Sequence, residues 1–165
     1  MNIRSLCYSF FTIVLLAVPT CLRADLVLTE DPGGQKFPIV TTTSRAYLLY
    51  DGNDAPVVAT AAGMFNSDVY AVTGKRLSVG TSLISAEYAI IAGTVESSSY
   101  IKDLSLAGKI DVSKVKGKWE SFIIQKVDQP FGQIKQALVI CGSDPRGAAY
   151  GILQLSRLIG VSPYI

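Results

Sequence analysis

The run YAIIAGTV at residues 88–95 is apolar without alternation and is bounded by polar residues. A strand with one wet face reads apolar and polar in turn. A continuous run is the pattern of a strand covered on both faces, and it calls for a sheet with helices packed against it.

The neighbouring segments supply those parts. DLVLTE and FPIVTT read as short strands separated by the turn DPGGQK, and RAYLLYD as a third ending at the turn DGNDAP. In PVVATAAGMFNSDVYAVTG the period changes: Val58, Ala61, Ala62, Phe65, Val69 and Val72 recur at three and four residues, on one helical face. Gly74 is placed to stop that helix. SSSYIKDLSLAG offers serine caps, Tyr100, Leu104 and Ala107 at helical spacing, and Gly108 as a stop. WESFIIQKV and QALVICG are strands joined by a glycine-containing connection that suits an antiparallel hairpin. The last helix has Asp144 as cap, Pro145 where a missing N–H costs nothing, and Gly160 then Pro163 to end it. Ala148, Ile152, Leu155 and Ile159 form its apolar stripe, with Ala149 and Leu153 beside it. The fold class expected is α/β, a single mixed-sheet domain with helices packed on the sheet.

The first 24 residues stand apart. MNIRSLCYSFFTIVLLAVPTCLRA has a positive start, an uncharged apolar run from about Leu6 to Val18, and small residues after Pro19, as in a secretory signal. The run is short for a membrane span. Export to the periplasm or the outside is therefore expected, with residues 1–24 a signal peptide and 25–165 the domain. VPTC loosely resembles a lipoprotein signal, which would make Cys21 a lipid anchor. Thr20 is a poor match before that cysteine, and removal of Cys21 with the leader is the preferred reading.

Loss of Arg4 and Arg23 with the leader takes the fifteen Lys and Arg to thirteen, against thirteen Asp and Glu. A neutral exported domain has no electrostatic reason to seek nucleic acid. Only Cys141 remains of the three cysteines, so no internal disulfide is expected, and it reads as a small buried thiol rather than a nucleophile. The chain has no histidine. Ser-His-Asp and Cys-His nucleophile systems and histidine metal sites are excluded within it.

The candidate sites each have a plainer alternative. GSDPRGAA carries glycines spaced like a phosphate loop, but Ala148 and Ala149 stand where Lys and Ser/Thr would meet phosphate and magnesium. Nucleotide binding is not expected. Asp144 and Arg146 at this helix start can hold a carboxylate such as that of a uronic acid. Alternatively Asp144 is the cap, and Arg146 pairs with it or faces water. Asp51 and Asp54 in YDGND lie at a strand end, where two carboxylates can act as acid and base. Turn and cap chemistry explains the same stretch. Lys109, Lys114, Lys116 and Lys118 lie near Trp119, the only tryptophan. Basic residues beside an aromatic suggest nucleic acid, which Asp111 and the neutral balance weaken, or a sugar-stacking platform; a solvated loop is the preferred reading, with Trp119 opening the next strand as core or interface. No set is sufficient for catalysis, and no cofactor is expected.

GKWESFIIQKV followed by ALVICGSDPRGAAYGILQLSRLIGVSP resembles the N-terminal region of glycoside hydrolase family 115, the xylan α-glucuronidases. The likeness lies in a strand running into GSD-x-RG-x-x-YGI and then LS-x-x-IGVSP. It is carried by Gly142, Ser143, Asp144, Arg146, Gly147, Tyr150, Gly151, Ile152, Leu155, Ser156, Ile159, Gly160, Val161, Ser162 and Pro163. FPIV, YDGNDAPVVATAAG, VTGKR, AIIAGTVESSSYI and GKIDVSKVKGKWE agree in order and spacing. Ala148 and Ala149 in place of bulkier residues, and Pro145 in place of lysine, depart from the pattern. The resemblance implies a non-catalytic α/β module, of the β-hexosaminidase-like domain 2 type, that precedes a catalytic barrel. The barrel is expected to be absent from this chain. Relatives of this kind remove glucuronic acid side chains from xylan with inversion, and no catalytic residue is carried over. The expected partners are such a barrel and acidic xylan oligosaccharide, and a face left bare of its barrel is expected to self-associate.

Overall fold

A computed structural model describes residues 36–161. The expected leader, the strand at residues 25–30 and Pro163 lie outside the described residues. The elements are β1 (Tyr47–Tyr50), α1 (Pro56–Thr73), β2 (Ser78–Gly80), β3 (Ala86–Thr94), α2 (Ser99–Leu106), a 3-10 turn at Val112–Lys114, β4 (Phe122–Asp128), β5 (Ile134–Gly142) and α3 (Pro145–Leu158). One sheet holds the strands in the order β2-β1-β3-β5-β4. β1 is parallel to β2 and β3, β3 is parallel to β5, and β4 closes back antiparallel on β5. The fold is α/β with a mixed sheet.

The continuous apolar run at residues 88–95 lies, up to Thr94, in the middle strand, β3. Ile90 and Ala92 of β3 face one core with Leu48, Leu138 and Ile140, under α1 and α3. Ala89 and Ile91 face the other with Leu49, Val139 and Cys141, under Ile101 and Leu104 of α2. Side chains two apart in a strand share a face, so only a strand buried on both sides can be apolar throughout. Among the described residues, no helix is long and apolar enough to cross a membrane.

Four local expectations are corrected. FPIVTT is a turn with one isolated bridge, Val40 to Arg45. The Thr41 hydroxyl accepts from the backbone N–H of Ser44 (2.8 Å) and Thr43 (3.2 Å), so a side chain takes donors that a strand ladder would use. Val72 is 52% exposed. Leu77 occupies the core instead, its N–H held by Asn66 Oδ1 at 2.7 Å after the chain reverses at Gly74. Ala107 is exposed just past the end of α2, which buries Ile101 and Leu104. Trp119 precedes β4 and is 80% exposed, because Glu120, at φ +49°, turns the chain before the strand begins. The short edge strand β2 left no periodic signal in its three residues.

Candidate functional site

In an open α/β sheet, ligands bind outside the carboxyl ends of the strands where the connections diverge to opposite faces. That point lies between β1 and β3: α1 leaves β1 for one core, and α2 leaves β3 for the other. Asp51 and Asp54 stand there, both 7% exposed. Asp54 Oδ2 accepts from the Thr94 N–H at 2.8 Å, and its Oδ1 accepts from the Thr94 hydroxyl at 2.8 Å and the Ala55 N–H at 2.7 Å. Asp51 Oδ1 accepts from the Asn53 N–H at 2.8 Å, and its Oδ2 from the N–H (2.7 Å) and hydroxyl of Ser99. Burial acts to raise the Asp51 carboxyl, but the donors from Ser99 and Asn53 outweigh it and hold the group below the ordinary carboxylate value. Both carboxylates are thus taken up by the protein's own donors, which tie the β1–α1 loop to the end of β3 and the start of α2. Gly93 permits the approach: a Cβ there would meet Ser98 Cβ at 2.5 Å.

The second cluster lies at the start of α3. Asp144 caps the helix, Oδ1 accepting from the Gly147 N–H at 2.8 Å. Its Oδ2 accepts from the Glu120 N–H at 2.6 Å and the Ser143 hydroxyl at 3.2 Å. The Gly147 donor contributes most, burial opposes it, and the donors from Glu120 and Ser143 add to it, leaving Asp144 below its ordinary range. Arg146 pairs with Glu120, Nη1 to Oε1 at 2.8 Å, rather than with Asp144, and this contact keeps its guanidinium firmly protonated. The phosphate-loop-like glycines serve packing. A Cβ at Gly142 would enter the backbone of Ala148, one at Gly147 would enter the carbonyl of Ser121, and one at Gly151 would press on Ile140 and Phe122.

The basic loop divides. Lys109 Nζ donates to the carbonyls of Gln129 and Pro130, bracing the β4–β5 turn. Lys114, Lys116 and Lys118 are exposed. Trp119 lines a shallow depression with Asp144, Pro145 and Arg146. Cys141 is wholly buried in β5, and burial pushes its thiol up to about 12, which leaves no thiolate for nucleophilic work.

The structure therefore brings Asp144, Arg146 and Trp119 together and places Asp51 and Asp54 in a separate clamp. Sequence reasoning missed Glu120 as the partner of Arg146, and Thr94 and Ser99 as the donors to Asp54 and Asp51. A run of three serines after a central strand was the available signal for Ser99.

No family model matches the chain, and neither does any curated protein. A solved structure described as "A novel family GH115 4-O-Methyl-alpha-glucuronidase, BtGH115A, with specificity for decorated arabinogalactans" aligns with a TM-score of 0.58 and 34% identity. The match covers 72% of this chain and 14% of that one. Another, "Structure of CpGH84D", aligns at a TM-score of 0.47 with 11% identity, over 72% of this chain and 18% of that one. The chain spans only a small part of either of these proteins. At 34% identity, the first alignment makes this chain similar to part of a GH115 protein.

Proposed function

We propose that this chain supplies the non-catalytic α/β domain of an exported glycoside hydrolase that removes glucuronic or 4-O-methylglucuronic acid side chains from a decorated polysaccharide. The catalytic partner is a barrel that rests on this domain. The substrate class is a glucuronidated xylan or, by analogy with the similar enzyme, a decorated arabinogalactan.

The observation that carries the reading is the 34% identity to a glucuronidase over 72% of the chain. The state of the paired carboxylates supports its non-catalytic half. Hydrolysis of a glycosidic bond needs one carboxyl held protonated as acid and a second facing it across the sugar. Asp51 is held ionised by its donors, and Asp54 is committed to Thr94 and Ala55. Both secure loops.

The test is to incubate the purified chain with aldouronic acids and with glucuronidated arabinogalactan, and to measure free glucuronate. No release above the protein-free blank is expected. Release proportional to protein and lost in Asp51→Asn would overturn the non-catalytic assignment.

A further inference from the structure

We propose that Trp119 and Arg146 form a binding platform for a uronic-acid-bearing glycan. The identity of the sugar rests on the glucuronidase-like reading above, and the place rests on the geometry. Trp119 is 80% exposed, the most exposed large hydrophobic side chain among the described residues after Leu106. An indole left in water forgoes the favourable burial of a large apolar surface and keeps a ring face open for stacking. The loop that presents it is braced. Next to the indole, the Glu120 N–H is held by Asp144, the Ser121 N–H donates to Ser143 Oγ at 3.0 Å, and the Ser143 N–H donates to the Ser121 carbonyl at 2.8 Å. The ring is offered from a fixed base, so little order has to be imposed when a ligand arrives.

The depression beside the ring has a volume of about 310 Å³ and is lined by Trp119, Asp144, Pro145 and Arg146. The Arg146 side chain is 69% exposed and makes one hydrogen bond among the described residues, to Glu120. A guanidinium carries five N–H donors, so outward-facing donors remain. The oxygens of Asp144 are taken up by Gly147, Glu120 and Ser143, but the group keeps its negative charge, so a ligand carboxylate has to meet the guanidinium on the side away from Asp144 and Glu120. The helix start itself is not the ligand site, since Asp144 occupies it. Lys116 and Lys118 form no ion pair among the described residues and add positive charge to the same loop. A pyranose offers an apolar C–H face to an indole, and a uronic acid adds a carboxylate for the guanidinium. A neutral sugar gains only the stacking contact, so acidic glycans are preferred.

Trp119 is the single tryptophan, so its emission reports on the site directly. The purified chain is titrated with a 4-O-methylglucuronic-acid-substituted xylo-oligosaccharide, a glucuronidated arabinogalactan oligosaccharide and an unsubstituted xylo-oligosaccharide. A saturable emission change with at least one acidic ligand, and weaker binding of the neutral one, is expected. By calorimetry, Trp119→Ala and Arg146→Gln each lose at least about tenfold in affinity for the acidic ligand. Arg146→Lys loses less than Arg146→Gln, and Leu106→Ala leaves binding unchanged. The substituted side chains are exposed, and an unshifted thermal transition confirms the fold. The proposal is overturned by no saturable change with any ligand, by undiminished binding in Trp119→Ala, or by acrylamide quenching that shows the indole already covered by a second copy. Release of glucuronate would sink the non-catalytic reading and leave this platform standing; a silent titration would do the reverse.

Discussion

Asp54 shows how much one buried carboxylate can hold. It accepts the N–H and the hydroxyl of Thr94, itself 1% exposed, across 40 residues of sequence. In Asp54→Ala those donors lose their acceptor inside the protein, and an unsatisfied buried donor costs more than a hydrogen bond contributes. The expected loss is roughly 3 kcal/mol, read as a lower urea midpoint with an unchanged slope. Asp51 adds a pH dependence of known sign. Its folded value lies below the ordinary 3.8. The stability it contributes is therefore present above 3.8 and is lost as pH falls through the lower folded value. Acid titration of the unfolding midpoint should be flatter in Asp51→Asn than in the parent over that range; equal slopes would show that the carboxylate is not the source. Neither partnership was legible in the sequence. Turn chemistry predicts a carboxylate bonding its near neighbours, as Asp51 does with Asn53. Ser99, 48 residues away, is reached only because the sheet places β1 beside β3.

Elements were legible where one physical cause acts along many residues. The three- and four-residue recurrence in α1 persists over eighteen residues, and its buried positions are Val58, Ala61, Ala62, Phe65 and Val69. The hairpin followed from length and glycine, and the cap of α3 from a short local pattern. Failure came where a local competitor or the end of an element decides, as with Thr41 in FPIVTT and Val72 in the last turn of α1. The spacing Gly142, Gly147, Gly151 was legible as unusual, but its reason was not. It lets α3 lie close on β4 and β5, with Gly147 against the Ser121 carbonyl and Gly151 against Ile140 and Phe122. A methyl group at Gly147 meets backbone that cannot yield without moving the start of β4. Gly147→Ala and Gly151→Val should each destabilise by roughly 1–3 kcal/mol, and Gly147→Ala should also disturb Trp119 emission through the loop it braces. A control at Gly63, where a Cβ meets nothing within 4 Å, should be neutral or stabilising as alanine. Equal losses at Gly63 and Gly147 would refute the packing account.

At the scale of the whole molecule, two cores lie on the two faces of the sheet among the described residues, and the outer surface of α1 is unusually poor in charge. The helix has a single charged residue, Asp68, in eighteen. Val57 and Met64, seven residues apart and hence on one line of the helix, are 39% and 52% exposed, and Tyr70 and Val72 add 49% and 52% near its end. Helices facing water normally carry charges on the outward side. A surface of this kind suits a face that meets another body, such as the barrel of the proposed enzyme. In a purified preparation of this chain, contact between copies would remove that apolar area from water. The weight-average mass of the purified chain in light scattering should therefore rise with concentration. The double substitution Val57→Lys and Met64→Glu should suppress the rise without lowering the thermal transition, because both side chains already lie at the surface and the two new charges, of opposite sign, leave the net charge unchanged. A parent chain that stays monomeric at high concentration would show that the half-exposed residues of α1 are too dispersed to act as one patch.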